Sequence, residues 1–161
     1  SDHDALTNCF NRRTFNEALE QLTRSRANGK RRTFLLIDID HFKAINDQHG
    51  HLVGDRIITQ VAAELVRALH ADIPLYRYGG EEFAIILEHA SEQEGVELSE
   101  RLRLAIHEYD FQDLKVSISI GVAEWRSTHA NVSAALGHAD RALYLAKNAG
   151  RNRVMAASAL S

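Results

Sequence analysis

The sequence predicts an α+β fold, a mostly antiparallel central β-sheet flanked by helices. Three observations carry that class. The periodic runs follow one another as helix, strand, helix, hairpin, helix, strand, helix, strand, so hairpin and crossover connections mix. The run TFLLIDID over 33–40 is almost wholly apolar, as a strand covered on both faces must be. The run KVSISIGV over 115–122 alternates with a period of two, as a strand with one buried side does.

Taken in order, Ser1-Asp2-His3 reads as a linker edge, and residues 4–11 are rich in capping types. A helix follows over 12–26, with Phe15, Ala18, Leu19 and Leu22 on one face, and Asn28-Gly29 stops it. Strand 33–40 ends in Asp38 and Asp40, which share a face because they stand two positions apart. A buried strand that finishes in acids either presents them to a cation or runs out into solvent; for Asp40 both readings stay open. Residues 41–54 are polar, with breaks at Gly50 and Gly54, and read as a short helix and a turn. Helix 55–69 carries the stripe Ile58, Val61, Ala62, Leu65, Val66 and Leu69. Asp72-Ile73-Pro74 leads into a hairpin over 76–87, where Gly79-Gly80 supplies the positive φ of a two-residue turn.

Glu81 and Glu82 follow those glycines at once. A plain hairpin needs no adjacent like charges there. Glycines that admit a phosphate beside carboxylates that hold a hard cation explain the pattern, although Gly-Gly hairpins alone are common. Residues 91–109 form a second amphipathic helix, opened by the capping box Ser91-Glu92-Gln93-Glu94, with Leu98, Leu102, Ala105, Ile106 and Tyr109 inward. In strand 115–122 the buried side is Val116, Ile118, Ile120 and Val122. Helix 131–148 runs through Val132, Leu136, Ala139, Leu143 and Ala146; Gly150 closes it, and 152–156 is a short last strand.

With 161 residues and 18.0 kDa the chain is expected to be a single domain with a real core, without repeats or low complexity. Its 45% hydrophobic and 25% charged fractions are those of an ordinary globular protein. A net charge of −3 argues against bulk nucleic-acid binding. The single Cys9 excludes an internal disulfide and a cysteine zinc site, and fits a reducing compartment. No apolar run approaches the roughly 20 residues of a membrane helix, so this segment is expected to be cytoplasmic and to make no membrane contact. A longer parent chain could still be tethered. The nine histidines are scattered, and a solvated surface is the better reading for most.

If strand 33–40 and the hairpin are sheet neighbours, Asp38 and Glu81 can hold a divalent metal between them. Mg²⁺ takes one or two carboxylates plus substrate phosphates, which points to a nucleoside triphosphate. Lys147 and Arg151 could then balance the β and γ charge. Each alone is also what a helix C-terminus favours.

The motifs Asp4-Ala5-Leu6-Thr7, Asn11-Arg12-Arg13, Asp38-Ile39-Asp40-His41-Phe42-Lys43, Asn46-Asp47, Gly50-His51, Gly54-Asp55, Arg77-Tyr78-Gly79-Gly80-Glu81-Glu82-Phe83, Ser119-Ile120-Gly121-Val122, Ala139-Asp140 and Lys147-Asn148-Ala149-Gly150-Arg151-Asn152 stand in order. Over residues 4 to 156 the chain resembles the GGDEF diguanylate cyclases, in the GGEEF form. The resemblance implies a fold similar to nucleotide cyclase and polymerase palm domains. It implies condensation of two GTP into cyclic di-GMP and pyrophosphate in a two-fold homodimer, with one GTP per subunit. It implies Mg²⁺, two ions per site with Mn²⁺ able to substitute, held by Asp38, the Ile39 carbonyl and Glu81. Glu81 matches the base that helps ionise the 3′-hydroxyl, with Glu82 beside it in the catalytic set, and Lys43 the residue that stabilises the phosphoryl transition state. Lys147 and Arg151 match phosphate contacts. Asn46, His51, Asp55, Phe42, Gly79 and Gly80 match substrate-binding positions, Asn46 and Asp55 reading guanine.

The physics of guanine agrees. Its N1–H and exocyclic amine are adjacent donors that a carboxylate at Asp55 can accept together, whereas adenine would leave that acceptor unpaired. No long apolar interface shows, so the isolated domain is expected to be largely monomeric, with association driven by an N-terminal sensory region outside this chain. Two departures stand out. Many members carry an Arg-x-x-Asp product-inhibition site where this chain has His70-Ala71-Asp72-Ile73, and Asn8-Cys9 replaces the usual Gly-Leu. Tight feedback inhibition is therefore not expected. The alternative function is a catalytically silent module that binds GTP or cyclic di-GMP; silent members usually lose a signature carboxylate, and none is lost here.

Overall fold

A computed structural model describes residues 1–25, 30–70, 72–126 and 131–160. Among the described residues are five strands: β1 (Arg31–Ile39), β2 (Tyr76–Arg77), β3 (Glu82–Glu88), β4 (Ile118–Arg126) and β5 (Val154–Ala156). They form one sheet in the order β2-β3-β1-β4-β5, antiparallel throughout except that β5 runs parallel to β4. Among the described residues five α-helices cover it: α1 (Arg12–Ser25), α2 (Phe42–His49), α3 (His51–Ala68), α4 (Glu92–Glu108) and α5 (Val132–Asn148). The class is α+β, as expected.

The apolar run of β1 feeds two cores because side chains alternate. Leu35, Ile37 and Ile39 point into the layer under α3 and α4, with Ile57, Val61, Leu65, Leu98, Leu102 and Ile106. Phe34 and Leu36 point into the opposite layer under α1 and α5, with Phe15, Leu22, Ala135, Ala139 and Leu143. Each fully buried Leu, Ile or Phe contributes about 1.5–3 kcal/mol against its exposed state. β1 is thus fixed from both faces and both edges, which makes its C-terminal end a rigid platform. No helix among the described residues is long and apolar enough to cross a membrane.

Several local expectations are corrected. Gly54 does not break the chain: α3 begins at His51, and Gly50 alone separates it from α2, with φ +88°. The expected two-residue turn is absent. Neither Gly79 nor Gly80 has positive φ, and the hairpin closes through Tyr78 N–H to the Glu82 carbonyl at 2.8 Å. β4 is buried on both sides, not one. Its second face, Ser119, Gly121 and Ala123, is small rather than polar because α5 lies against it; a methyl at Gly121 would stand 2.1 Å from the Ala139 carbonyl oxygen. Val66 is 54% exposed at the margin of its helix stripe, and Tyr109, 38% exposed, lies past the end of α4 as its extended C-cap. The Asn28-Gly29 stop lies outside the described residues. Ser91 does cap α4, with both bonds of the capping box formed.

Candidate active site

The end of β1 and the hairpin meet. Asp38 sits opposite Glu82 of β3 on one side and Ser119 of β4 on the other. Just beyond, Ile39 N–H donates to the Glu81 carbonyl at 3.1 Å. Asp38 is only 4% exposed, and its Oδ2 accepts from Lys147 Nζ in the last turn of α5 at 2.5 Å. A cavity of about 280 Å³ opens beside them, lined by Asp38, Glu82, Asp140, Tyr144, Lys147 and Arg151 among others.

The electrostatics of this cluster favour a cation. Burial pushes the Asp38 carboxyl above its usual range, the Lys147 ammonium pulls it back, and the Glu81 and Asp40 charges push it up again. Glu82 is raised by burial and then by Asp38 and Glu81. Burial opposes the Lys147 charge, but the Asp38 hydrogen bond and the surrounding carboxylates outweigh it and hold the ammonium above the usual lysine range. Among the described residues no three His, Cys, Asp or Glu side chains make a ready-formed cation cage. The donors in hand are Asp38, Glu81 and the Ile39 carbonyl. All are hard oxygens, a set that fits Mg²⁺ when phosphate oxygens complete the shell.

The hairpin tip is held from the N-terminus. Arg77 Nη2 donates to the Gly80 carbonyl at 2.7 Å and Nε to that of Gly79 at 3.2 Å, while Nη1 reaches Asp4 Oδ2 at 3.0 Å. Asp4 is itself fixed by Thr7, whose backbone N–H and hydroxyl donate to Oδ2 at 2.9 and 2.8 Å. Arg12 donates to the Tyr78 carbonyl at 2.8 Å and stacks 3.8 Å above that ring. A side chain at Gly79 would meet Glu82 Oε1 at 2.8 Å, whereas the space over Gly80 is open to an approaching ligand.

A second group lies across α2 and α3. A methyl at Gly54 would stand 1.8 Å from Asn46 Oδ1 and 3.1 Å from the Phe42 ring, so the two helices touch only because this residue is glycine. Asn46 Oδ1 is buried there without a hydrogen-bond partner among the described residues. A buried, unpaired acceptor is costly and suits a ligand donor. His51 and Asp55 are exposed on the first turns of α3.

The fold therefore brings Asp38, Ile39, Glu81, Glu82, Lys147 and Arg151 to one end of the sheet, and Asn46 and Phe42 beside Gly54 on the neighbouring helices. Lys43 is not drawn in: its side chain is 89% exposed and pairs with Asp47 at 2.8 Å. Asp40 is corrected. It is 3% exposed, and its oxygens accept from Ser117 and Ser119 at 2.7 Å and from Asn152 N–H at 2.9 Å. The sequence reading quoted Asp140 only as a motif position, with no site role, and missed Tyr144; the two stand four apart on the exposed side of α5 and line the cavity. A polar i, i+4 pair beside Lys147 is the one signal that could have found them.

The family model described as diguanylate cyclase, GGDEF domain, matches residues 1–153. Diguanylate cyclase VdcA of Vibrio cholerae is 38% identical over 159 residues, covering 94% of this chain and 46% of that protein. Diguanylate cyclase DgcP of Pseudomonas aeruginosa is 40% identical over 156 residues, covering 94% of this chain and 23% of that protein. The chain thus spans less than half the length of these curated relatives. The GGDEF domain of DgcB from Caulobacter crescentus, solved in complex with c-di-GMP, superposes with a TM-score of 0.89 at 32% identity, covering 98% of this chain and 96% of that one.

Proposed function

The chain belongs to the GGDEF diguanylate cyclase family, and from that premise we propose that it condenses two GTP molecules into cyclic di-GMP. In each half-reaction a 3′-hydroxyl attacks the α-phosphorus of the other GTP, the bond to the β-phosphate oxygen breaks, and pyrophosphate leaves. The observation that carries the reading is the nearly buried Asp38, set against the Glu81-Glu82 hairpin with Lys147 as its counter-ion.

Asp38, the Ile39 carbonyl and Glu81 would hold Mg²⁺, two ions per site, with Mn²⁺ able to substitute. Bound there, the metal neutralises phosphate charge and makes the attacking hydroxyl more acidic. Glu81 takes the 3′-hydroxyl proton, and Glu82, one residue on, keeps the local field negative. Lys147 and Arg151 bind the β- and γ-phosphates. Lys43 swings from its exposed pairing with Asp47 to the reacting phosphate, a motion that costs little because the surface pair is weak. The open space over Gly80 lets the triphosphate approach, with Gly79 packed against Glu82 beside it. On the base side Asn46 Oδ1 accepts from the guanine amine, Asp55 from N1–H and the amine, Phe42 packs beneath, and His51 lies alongside the nucleotide.

One subunit holds one GTP, so two copies must face each other across a two-fold axis. Association is weak in this segment and its GTP supply is cytoplasmic. The test is incubation of concentrated protein with GTP and Mg²⁺ beside a Glu81→Gln control, with nucleotides separated by chromatography. Cyclic di-GMP from the parent alone, at a rate rising faster than linearly with protein concentration, supports the reading. GTP binding with no product at any concentration would transfer it to a silent regulatory module.

A further inference from the structure

Immediately after α5 the backbone turns left-handed for three residues in succession: Gly150 at φ +128°, Arg151 at +63° and Asn152 at +47°. Glycine accepts this freely, but Arg151 does not, and left-handed runs of ordinary residues persist only where the surroundings over-determine them. The restraints here are explicit. Arg151 N–H donates to the Ala146 carbonyl at 3.1 Å, and Asn152 N–H to the buried Asp40 Oδ2 at 2.9 Å. The Asn152 side chain is clamped from α4: its Oδ1 accepts from Arg103 Nη1 at 3.0 Å, and its Nδ2 lies 3.3 Å from His107 Nδ1. Arg103 is in turn fixed by Glu100 at 2.8 and 3.1 Å. Asp40 is anchored by the hydroxyls of Ser117, just before β4, and Ser119, within it.

The product of this network is the placement of Arg151 on the cavity that also holds Asp38, Glu82 and Lys147. Its Nε is buried without a partner among the described residues, a donor left over for an anion. We infer that Asn152, with Asp40 beneath it and Arg103 and His107 beside it, is a positioning residue that presents the Arg151 guanidinium to the β- and γ-phosphates of the nucleotide. The inference rests on the nucleotide reading above and names what holds one of its contacts in place. None of the four residues touches the phosphates; each acts through the backbone of residues 150–152.

The experiment titrates the parent and Asn152→Ala with 3′-deoxy-GTP and Mg²⁺, a probe that lacks the nucleophile and cannot turn over, and separately with GMP, following chemical shifts. Alanine keeps the N–H to Asp40 but loses both side-chain bridges and tolerates the left-handed conformation poorly. The dissociation constant for 3′-deoxy-GTP is expected to rise about ten-fold while that for GMP stays unchanged, because a displaced guanidinium is felt only beyond the α-phosphate. Adding Asn152→Ala to Arg151→Ala is expected to weaken binding no further, the signature of one residue acting through another. Equal losses for both ligands, or additive losses in the double variant, would reduce Asn152 to general scaffolding. If Asn152→Ala fails to fold, Arg103→Leu answers the same question from α4, with a smaller loss expected for the triphosphate alone. A parent that binds neither probe overturns the nucleotide reading together with this inference, whereas a parent that binds both and variants equal to it overturn the inference only.

Discussion

Lys147 Nζ lies 2.5 Å from Asp38 Oδ2, joining the last turn of α5 to the end of β1 across 109 positions of sequence. The pair is asymmetric: the Lys147 side chain is 34% exposed and that of Asp38 only 6%. Removing the lysine leaves a buried carboxylate with no cation, while removing the acid leaves an ammonium that can turn to water. Lys147→Met should therefore cost about 1–2 kcal/mol of stability, and Asp38→Asn less, because neutralising a buried acid lifts its desolvation penalty. Activity should rank the other way, with Asp38→Asn losing about a hundred-fold or more. Urea unfolding beside product formation checks both orders; equal stability losses would mean that the bridge is not organised by burial.

Gly121 decides how close α5 comes. A methyl there would lie 2.1 Å from the Ala139 carbonyl oxygen and 2.4 Å from the Leu143 amide nitrogen, both backbone atoms that no rotamer change can move aside. Gly121→Ala should destabilise the protein by about 2–4 kcal/mol and shift the helix that carries Lys147. Addition of Mg²⁺ and GTP is expected to recover less thermal stability than in the parent. A variant as stable as the parent would show that α5 slides without cost.

The element order is legible in the sequence because β1, α4 and α5 carry strong apolar periodicity or an explicit cap, as Ser91 and Glu94 do. Asp38 stands out because it ends a nearly apolar run, and Glu81 and Glu82 because they follow Gly79-Gly80, while the roles proposed for them come from the family resemblance. The errors have physical causes. Small residues on β4 look like an unburied face until α5 is placed on Gly121. Gly54 looks like a break, but its missing side chain is what lets α3 pass Asn46. Asp40 cannot be told from a solvent-facing acid without the long-range partners Ser117, Ser119 and Asn152, the first two of them 77 and 79 positions away.

Base selectivity should reside in Asp55. A carboxylate there pairs with the two adjacent donors of guanine and meets an unmatched ring acceptor in adenine. Asp55→Ser removes both the guanine pairing and that penalty, so the preference for GTP over ATP in kcat/KM should fall by about 10²-fold or more, through loss on the GTP side and gain on the ATP side. Competition assays with both nucleotides measure the ratio. An unchanged preference would put guanine discrimination at Asn46 alone.

Product feedback should be weak. His70 and Ile73 occupy the positions where many relatives hold an arginine and an aspartate, and neither offers the bidentate, charge-assisted contact that phosphate and guanine require. Cyclic di-GMP should bind the nucleotide-free protein with a dissociation constant of about 1 μM or weaker, measured by calorimetry. Submicromolar binding would require another surface to supply those contacts.

The hairpin tip depends on the charge of Asp4. Burial pulls its carboxyl upward, but the Thr7 donors and Arg77 more than compensate and hold it below its ordinary 3.8. Because the folded value is the lower one, the ionised acid stabilises the protein at every pH above 3.8, and that contribution disappears as pH falls from there through the folded value. Asp4→Asn keeps the shape and loses the charge, so it should be about 1 kcal/mol less stable than the parent near neutrality, and the difference should shrink in acid. Since Arg77 also holds the Gly79 and Gly80 carbonyls, the same variant should lose activity near neutrality, with Arg77→Lys losing more because an ammonium cannot span both partners. Urea unfolding of parent and variant down the pH scale provides the check. A gap that stays constant into acid would assign the anchoring to Thr7 and the backbone rather than to the Asp4–Arg77 pair.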